Sequence, residues 1–572
     1  MPEKNNIVSR ECKFVIHCGK PKYGNNKDLH LVKEIIKYED GTSERKLTPI
    51  YDFKRSYWIT KKGFRNHEEK KESEKIDRLQ KYKSTQSDLV NNIANSLGEP
   101  WFNGNLRKIS ASPYLYGSDI KSEAIIKKIY MDKYKDVVTK NTLAVFDIET
   151  NMLDGSNDII MASITEENNS YTVIDKKIFT EFNKRNNLSN KPEDIIKKLK
   201  NLYVKYMEIY EKEKTKQNAK EWEIELVDTE LGVAINCFKK AHKWQPDFVS
   251  IWNMDFDIPK VVSVLEKNKI DPKLVFSDPS VSKEYQFFKY VQGKQQKVSS
   301  SGVTGGISPA NQWHTVYCPS SFYVIDSMCV YRRLRKQKAE EQSYSLDSIA
   351  DKELGFGKLD FPEADGYEKG AWHMFMQENY LYEYTLYNLF DCKLILMLDS
   401  KTKDIENNFM IAAGYSHFSD FPSNPKMVVD VYHYYCLEHG EVIGTTSSDL
   451  KTEIDNKTLS PKGWITMLPA CIYTEDGYKI IQDKETLTTN IYTDVADLDV
   501  SAAYPHGGIA CNVSKRTTVK TIIEIEGVEE EYVRLQSINL SGGSTNAVEF
   551  CTNLLGAPEL HNTLLKFKEL HC

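Results

Sequence analysis

Apolar and polar residues alternate in long blocks along this chain, and the period of the alternation changes several times. The run LAVFDIET, residues 143–150, is typical of a buried strand that ends in acidic residues. The runs DFVSIWN and SFYVIDSM have the same character, and NYLYEYTLYNLFDCKLILMLDS has the length and period of a buried helix. Strands that alternate with helices in this way predict an α/β domain over about 140–400.

The flanking regions are less regular. Short β-like runs, CKFVIHC and RSYWIT, lie near the N-terminus, and the highly charged stretch 67–97 predicts a solvated helix. Amphipathic spacing predicts a helical region over 191–242, and the Gln-, Gly- and Ser-rich segment 285–317 predicts a β-hairpin. Residues 405–490 give a mixed signal without a motif. Towards the C-terminus, KRTTVKTIIEIEG alternates as an antiparallel partner of a strand near 497–505 would.

The composition narrows the class of protein. A chain of 572 residues is too long for one core, and 40% hydrophobic with 28% charged residues is typical of a folded protein. No apolar run reaches the roughly 18 residues of a membrane span, and no secretory signal is visible. The 11 cysteines include no C-x-x-C pair. We therefore expect reduced thiols, a cytoplasmic location and no membrane partner, whereas the net charge of −6 neither supports nor excludes nucleic acid.

Carboxylates follow the first two predicted strands of the α/β region. Asp147 and Glu149 are two residues apart on a strand, so their side chains project from the same face. Two like charges there are unfavourable unless a cation lies between them, and oxygen ligands favour Mg²⁺ or Mn²⁺. Asp257 follows the second strand in N-M-D-F-D. It is either a further ligand or the N-cap of a helix that starts at Pro259.

A tyrosine and an aspartate lie on the long predicted helix. Tyr387 and Asp391 are four residues apart and therefore share one helical face. Either they form a hydrogen bond within a core or they belong with the strand carboxylates. Together, four acids and a phenol supply what two-metal phosphodiester hydrolysis needs, namely ligands for two ions and a hydroxyl that orients the attacking water.

In chain order these residues form D-I-E, N-x-x-F-D and Y-x-x-x-D. This series resembles the three exonuclease motifs of the DEDD superfamily, in its tyrosine-containing branch (DEDDy). The resemblance implies an RNase H-like fold and 3′→5′ removal of nucleotides from a nucleic-acid end. It further implies that two Mg²⁺ ions are bound by Asp147, Glu149, Asp257 and Asp391, and that Tyr387 positions the water.

A second motif, DLDVSAAYP at 497–505, resembles the first polymerase motif of family B DNA polymerases, D-x-x-x-x-Y-P. By that resemblance Asp499 binds both catalytic metals of the polymerase site, and Tyr504 is the steric gate that excludes a 2′-hydroxyl. The backbone N–H groups that would cradle the dNTP triphosphate belong to Val500, Ser501, Ala502 and Ala503. Ala502 and His506 depart from the small or serine residues usual in the family.

The rest of a polymerase site is missing from this sequence. No aspartate follows Asp499, and neither a fingers motif K-x-x-x-N-S-x-Y-G nor an Asp-Thr-Asp turn is present. We therefore expect an N-terminal portion of a replicative polymerase that a second polypeptide completes; a truncated product and a vestigial palm are the alternatives. PYLYGSDI and YSLDSIADKELGFGKLDF resemble segments of polymerases from T-even bacteriophages and their relatives, which implies a bacteriophage source.

The resulting prediction is an α/β multidomain protein with four parts. They are a mixed-sheet N-terminal domain (1–115), the 3′→5′ exonuclease domain (116–402), a segment that returns to the N-terminal domain (403–485) and a partial α+β palm (486–572). The implied role is proofreading in DNA replication, with primer–template, single-stranded DNA, dNTP and a sliding clamp as partners. Two rival interpretations are a stand-alone DEDDy exonuclease whose palm only binds DNA, and a non-catalytic scaffold subunit of a replisome.

Overall fold

The computed structural model describes residues 6–446, apart from 25, 69, 101–105, 136–137, 212–214 and 299–302, and short strands beyond residue 446. The chain divides into two compact units, Met1–Leu459 and Ser460–Cys572. Helices together with a mixed β-sheet make it a multidomain α/β protein, as the sequence predicted. None of the helices in the described residues has both the length and the apolar character that a bilayer crossing requires.

The N-terminal part of the first unit is mostly β-structure. Its elements are β1 (Ile7–Gly19), β2 (Leu29–Tyr38), β3 (Ser43–Tyr51), β4 (Arg55–Thr60), β5 (Ser73–Lys75), β6 (Leu79–Ser84), α1 (Leu89–Leu97), α2 (Leu106–Ser110), β7 (Leu115–Tyr116) and α3 (Ser122–Lys133). Strands β1, β2 and β3 form an antiparallel sheet, and β4 lies between β6 and β7 in a second one. Helix α3 packs on β1, and its Ile126 shares a hydrophobic cluster with Val15 of β1 and Val32 of β2.

The helix predicted over 67–97 is wrong for most of its length. Strands β5 and β6 and a 3-10 turn at Ile76–Arg78 occupy its first part, and the one α-helix among the described residues of this stretch is α1 at its end. Strand β6 pairs antiparallel with β4, and Lys81 covers the ring of the opposing Trp58. Such pairing with distant strands overrides the helical propensity of a Lys- and Glu-rich segment, because strand formation depends on the neighbouring strand more than on local composition.

The middle part alternates strands and helices. Its elements are β8 (Leu143–Thr150), β9 (Ile159–Thr165), β10 (Ser170–Asp175), α4 (Lys176–Arg185), α5 (Pro192–Met207), α6 (Thr215–Glu221), β11 (Trp222–Val227), α7 (Glu230–Trp244), β12 (Phe248–Ile251), α8 (Met254–Lys267), α9 (Lys273–Phe276), β13 (Lys289–Val291), β14 (Gln296–Val298), β15 (Thr304–Gly306), β16 (Thr315–Tyr317), β17 (Tyr323–Asp326), α10 (Ser327–Leu334), α11 (Leu346–Leu354), α12 (Gly370–Asn379) and α13 (Leu381–Thr402). A mixed sheet runs in the order β11-β10-β9-β8-β12-β17. Strand β8 is antiparallel to β9 and parallel to β12.

Helices cover both faces of this sheet, and β8 contributes to both cores. Phe146 and Ile148 pack with α7 and α8 on one face, while Val145 packs with α5 and α13 on the other. Burying a side chain such as Phe146 contributes about 1.5–3 kcal/mol to the free energy of folding. The strand alternation therefore places Asp147 and Glu149 on the face that α13 covers.

Most predicted elements of this part are confirmed. Strands β8, β12 and β17 and helix α13 lie where the apolar runs indicated. The hairpin over 285–317 is also confirmed, since β13 pairs with β16 and β14 with β15; its tip, 299–302, lies outside the described residues. The helical region 191–242 is wrong at 222–227, where WEIELV alternates and forms β11 parallel to β10.

The last described part of the first unit returns to the N-terminal strands. After a π-helical turn at Asp404–Asn408 come α14 (Phe409–Ala413), α15 (Asn424–Glu438) and β18 (Glu441–Ile443), and β18 pairs with β5. In the second unit the described strands are β19 (Cys471–Thr474), β20 (Gly477–Ile480), β21 (Ile522–Glu524), β22 (Ser537–Leu540), β23 (Gly543–Asn546) and β24 (Phe567–Glu569). Strand β21 confirms part of the predicted strand; it pairs with β24, and the partner expected near 497–505 lies outside the described residues.

Candidate active site

Three carboxylates meet where β8 passes under helix α13. One carboxylate oxygen each from Asp147, Glu149 and Asp391 lies within 4.8 Å of the other two. Glu149 and Asp391 are buried, and Asp147 is partly exposed. The structure therefore brings the strand pair and the helix aspartate together.

Helix α13 presents a polar stripe to β8 from an otherwise buried helix. The stripe consists of Tyr384, Tyr387, Asn388 and Asp391, at the i, i+3, i+4, i+7 spacing of one helical face. Asn388 Nδ2 donates to Asp147 Oδ2 at 2.7 Å, and the Tyr384 hydroxyl donates to Glu149 Oε2. The helix thus orients both strand acids as well as supplying its own.

Asp257 lies beside this group, in the first turn of α8. The helix begins at Met254 after Asn253, whose φ of 69° is left-handed. The N-cap interpretation of Asp257 is therefore wrong, because the chain turns into the helix four residues before that position and Pro259 lies inside the helix. Asp257 is 3% exposed and accepts a hydrogen bond from the backbone N–H of Ile148, between the two strand acids.

The acids occupy an environment that disfavours their charge. Burial raises the pKa of Asp147 and of Asp257 well above the ordinary range, and neighbouring carboxylates add to the effect. Burial also raises the pKa of Glu149 to about 7, although the hydrogen bond from Tyr384 acts to lower this pKa. It raises the pKa of Asp391 too, although Lys358 opposes the shift. Repulsion of this kind is relieved by protons or by a bound cation.

Lys358 brings a positive charge to the site and is not one of the motif residues. Its Nζ lies 2.5 Å from Asp391 Oδ2 and donates to the Tyr387 hydroxyl oxygen at 2.8 Å. Burial lowers the pKa of Lys358, but Asp391 and Tyr387 outweigh it and hold the pKa well above the usual value. The loop that carries Lys358 is held in place by a hydrogen bond from Lys358 N to Asp347 Oδ1 at 2.8 Å. Gly357 allows this close approach, because a Cβ at that position would overlap the same oxygen.

Helix α12 closes one side of the site with aromatic rings. Trp372 packs against Tyr387 with ring centroids 4.9 Å apart, and His373 Nδ1 lies 2.8 Å from the Tyr384 hydroxyl. Burial, followed by Lys358, lowers the pKa of His373 to about 4, so this ring is neutral at pH 7. Gln377 ties the helix to the end of β8, donating to the Thr150 carbonyl at 2.8 Å.

Sequence reasoning missed several of these residues for different reasons. Tyr384 and Asn388 share the face of Tyr387 and Asp391, so the helical spacing alone could have found them. Lys358 and His373 come from a loop and a helix that only the tertiary fold brings to the acids. Lys358 does stand in GKLDF, within a segment that already carried the resemblance.

The polymerase-type motif cannot be placed. The residues concerned lie outside the described part of the chain: Asp499, Val500, Ser501, Ala502, Ala503 and Tyr504. Their assigned roles remain predictions.

Comparison with known proteins does not assign the chain to a family. No protein-family model matches the chain, and a search of curated proteins found no match. The site consists of three converging carboxylates with Asp257 beside them, a phenol and a lysine.

Proposed function

We propose that the first unit contains an RNase H-like 3′→5′ exonuclease that removes nucleotides from single-stranded DNA ends by two-metal hydrolysis. The observation that carries the proposal is the convergence of Asp147, Glu149 and Asp391 within 4.8 Å, with Asp257 beside them. Structural ion-pair networks also bury carboxylates, but they match each with a cation. Here, counting the described residues, four acids are accompanied by one lysine.

The residues present fit divalent ions. Asp257 Oδ1 and Asp391 Oδ1 are buried and have no hydrogen-bond partner among the described residues, so these oxygens are available as ligands. The donors are all oxygen, which suits Mg²⁺ or Mn²⁺. Asp147, Glu149, Asp257 and Asp391 would hold the ions, which when bound supply charge neutralisation and a more acidic water.

The protein's own side chains then arrange the reacting groups. Lys358 donates to the Tyr387 hydroxyl oxygen, and the hydroxyl in turn hydrogen-bonds to Asp391. These bonds hold the phenol beside the acids, where it would orient a water once ions are bound. The ammonium group of Lys358 also places positive charge where negative charge grows on a phosphate during hydrolysis. The neutral His373 holds the Tyr384 hydroxyl and leaves the net charge of the site unchanged.

A surface for the DNA end lies next to Asp257. Phe256 is 52% exposed on α8 and offers a ring to a terminal base; such stacking contributes about 1–3 kcal/mol. The hairpin is anchored at the preceding residue, since Tyr290 donates to Asp255 Oδ1 at 2.6 Å and Gln292 donates to the same carboxylate. The hairpin therefore projects from beside Phe256, where it would hold primer and template strands apart.

Deletion of hairpin residues 299–302 tests that role. Digestion of a mismatched duplex should fall while digestion of single-stranded DNA is retained, because only the duplex must be separated. A parallel reduction on both substrates would show that the hairpin supports the fold rather than strand separation.

The exonuclease is tested with 5′-labelled single-stranded DNA and Mg²⁺. The full-length chain should give a ladder shortened from the 3′ end, and Asp147→Ala, Glu149→Ala should give none. Glu167→Ala, at an exposed position on the β9–β10 turn, is the matched control and should digest normally. Digestion by the double variant would mean that other residues act, and no digestion by the unchanged chain would favour the scaffold interpretation.

For the second unit, we propose half of a family B polymerase site that a second polypeptide completes, working in the cytoplasm of a bacteriophage-infected cell. The support is the D-x-x-x-x-Y-P motif with Asp499 and Tyr504; a complete site of this kind also needs a fingers lysine motif and an Asp-Thr-Asp turn. A neighbouring reading frame that encodes those motifs should restore dNTP incorporation when its product is mixed with this chain. Asp499→Ala should abolish that incorporation, and an inactive intact mixture would favour a stand-alone exonuclease.

A further inference from the structure

A second cluster of metal-ligating side chains lies far from the acids in sequence, on the β1–β2 hairpin. His17 and His30 are directly opposed across the antiparallel pair, with ring centroids 4.6 Å apart. Asp28 precedes His30 by two residues and reaches the same side of the sheet. One potential ligand atom from each of the three residues lies within 4.8 Å of the others.

The hydrogen bonds around His30 fix which of its nitrogens carries a proton. His30 Nε2 lies 2.8 Å from Ser122 Oγ, and Ser122 Oγ donates its own proton to Glu123 Oε2 at 3.0 Å. A hydroxyl has one proton to give, so Ser122 must accept from His30 Nε2–H. His30 Nδ1 is then an unprotonated nitrogen. This nitrogen is fully buried and has no hydrogen-bond partner in the part of the chain that the structure describes, which is costly unless something binds it.

Asp28 is held in place by groups outside the cluster. Its side chain is fully buried and accepts hydrogen bonds from Ser87 N at 3.1 Å and Ser87 Oγ at 2.7 Å. His17 Nε2 lies 2.7 Å from Asp28 Oδ1. Both Asp28 and His30 are thus oriented by a second layer of hydrogen bonds, as metal ligands usually are.

We propose that His17 Nε2, Asp28 Oδ1 and His30 Nδ1 bind a transition-metal ion of the Zn²⁺ class. Two imidazoles with one carboxylate favour such an ion over Mg²⁺, which distinguishes this site from the all-oxygen acids of β8 and α13. The His17 side chain is 20% exposed, which leaves room for water as a fourth ligand. The ion would stabilise the β1–β2 hairpin. Because Asp28 is hydrogen-bonded to Ser87 and His30 to Ser122, it would also stabilise the contacts of the hairpin with the turn at Ser87 and with the start of α3.

The proposal is tested with Zn²⁺ alone, titrated in excess Mg²⁺ into the full-length chain carrying Asp147→Ala and Glu149→Ala. That background weakens competition from the nuclease acids, and we expect one tightly bound Zn²⁺ per chain. His17→Gln, at the most exposed ligand, should remove this binding, and His439→Gln, at an exposed histidine elsewhere, should not change it. Absence of stoichiometric binding, or binding that survives His17→Gln, would overturn the proposal.

Ser122 provides an independent test because it contacts His30 and not the ion. Ser122→Ala should weaken Zn²⁺ binding about 10–100-fold, and Ser122→Thr, which keeps the hydroxyl, should restore it. Should these variants fail to fold, Co²⁺ bound to the unsubstituted chain gives the answer. An intense visible absorption typical of a four-coordinate ion supports the site, and a weak six-coordinate spectrum contradicts it.

Discussion

Asp257 and Asp28 are both buried aspartates, 3% and 0% exposed, yet the protein treats their charges in opposite ways. Burial raises the pKa of Asp257, and the nearby Glu149 adds to it, so the carboxylate is costly to ionise. Burial also opposes ionisation of Asp28, but hydrogen bonds from His17 and Ser87 outweigh it and lower its pKa below the usual range.

The difference teaches that burial alone does not mark a catalytic acid. Asp28 is hydrogen-bonded to His17 and Ser87 even without the proposed Zn²⁺, so its charge stabilises the fold before any ion is bound. The acids of β8, α8 and α13 repel one another and are only partly balanced by Lys358. An arrangement that costs stability is typical of a site that binds an ion from solution.

The largest expected effect is on the rate of DNA digestion, which should depend on the acids of β8, α8 and α13 and not on the cluster around Asp28. Asp391→Asn should reduce Mg²⁺-dependent digestion about 10³-fold or more, because a metal-ligand charge is worth several kcal/mol at 1.36 kcal/mol per tenfold. Initial rates on single-stranded DNA measure this loss. Asp28→Asn, measured in parallel below its unfolding temperature, should digest at the normal rate; a comparable loss there would show that the regions are not distinct.

The next largest effect is on the free energy of unfolding, to which Asp28 should contribute favourably and the acids of the candidate active site unfavourably. Asp28→Asn should lower the free energy of unfolding by about 1.5–3 kcal/mol, because hydrogen bonds to a buried charge are lost. Urea unfolding at pH 7 in the presence of EDTA measures it. This stability is present above the unfolded pKa of aspartate and is lost as the pH falls through the lower folded pKa. An unchanged urea midpoint would mean that Asp28 is not held as an anion.

Asp257→Asn should act in the opposite direction. Removing the charge should raise the free energy of unfolding by about 0.5–2 kcal/mol at pH 7 without divalent ions. Because the folded pKa of Asp257 is raised, the gain should disappear as the pH falls towards the unfolded value of about 3.9, where the wild-type acid is protonated. Added Mg²⁺ should stabilise the wild type more than the variant. Destabilisation by Asp257→Asn at pH 7 would contradict the repulsion argument.

An exposed acid, Asp132, serves as the control for the changes in the free energy of unfolding at Asp28 and Asp257. Asp132 forms an ion pair with Lys128 one turn away on α3, and its side chain is 60% exposed. Asp132→Asn should change the free energy of unfolding by no more than about 0.5 kcal/mol, since solvent screens such pairs. A larger change in the same urea experiment would indicate that the effects at Asp28 and Asp257 do not report burial.

Much of the fold around the site could be predicted because its signals are local. The apolar run of β8 fixes the strand, its alternation places Asp147 and Glu149 together, and the period of α13 aligns Tyr387 with Asp391. Local signals predicted the wrong secondary structure at 67–97, because β5 pairs with β18, which lies more than 350 residues away in sequence. They also could not place Lys358, whose contact with Asp391 depends on how a loop packs over the finished sheet.

The central claim is that the β8, α8 and α13 acids exist to bind a pair of divalent ions. Crystals of the full-length chain soaked in Mn²⁺ and measured for anomalous scattering test it most directly. The account predicts two peaks coordinated by Asp147, Glu149, Asp257 and Asp391, lost in Asp147→Ala, Glu149→Ala. Crystals with no peak among these carboxylates at saturating Mn²⁺ would contradict it.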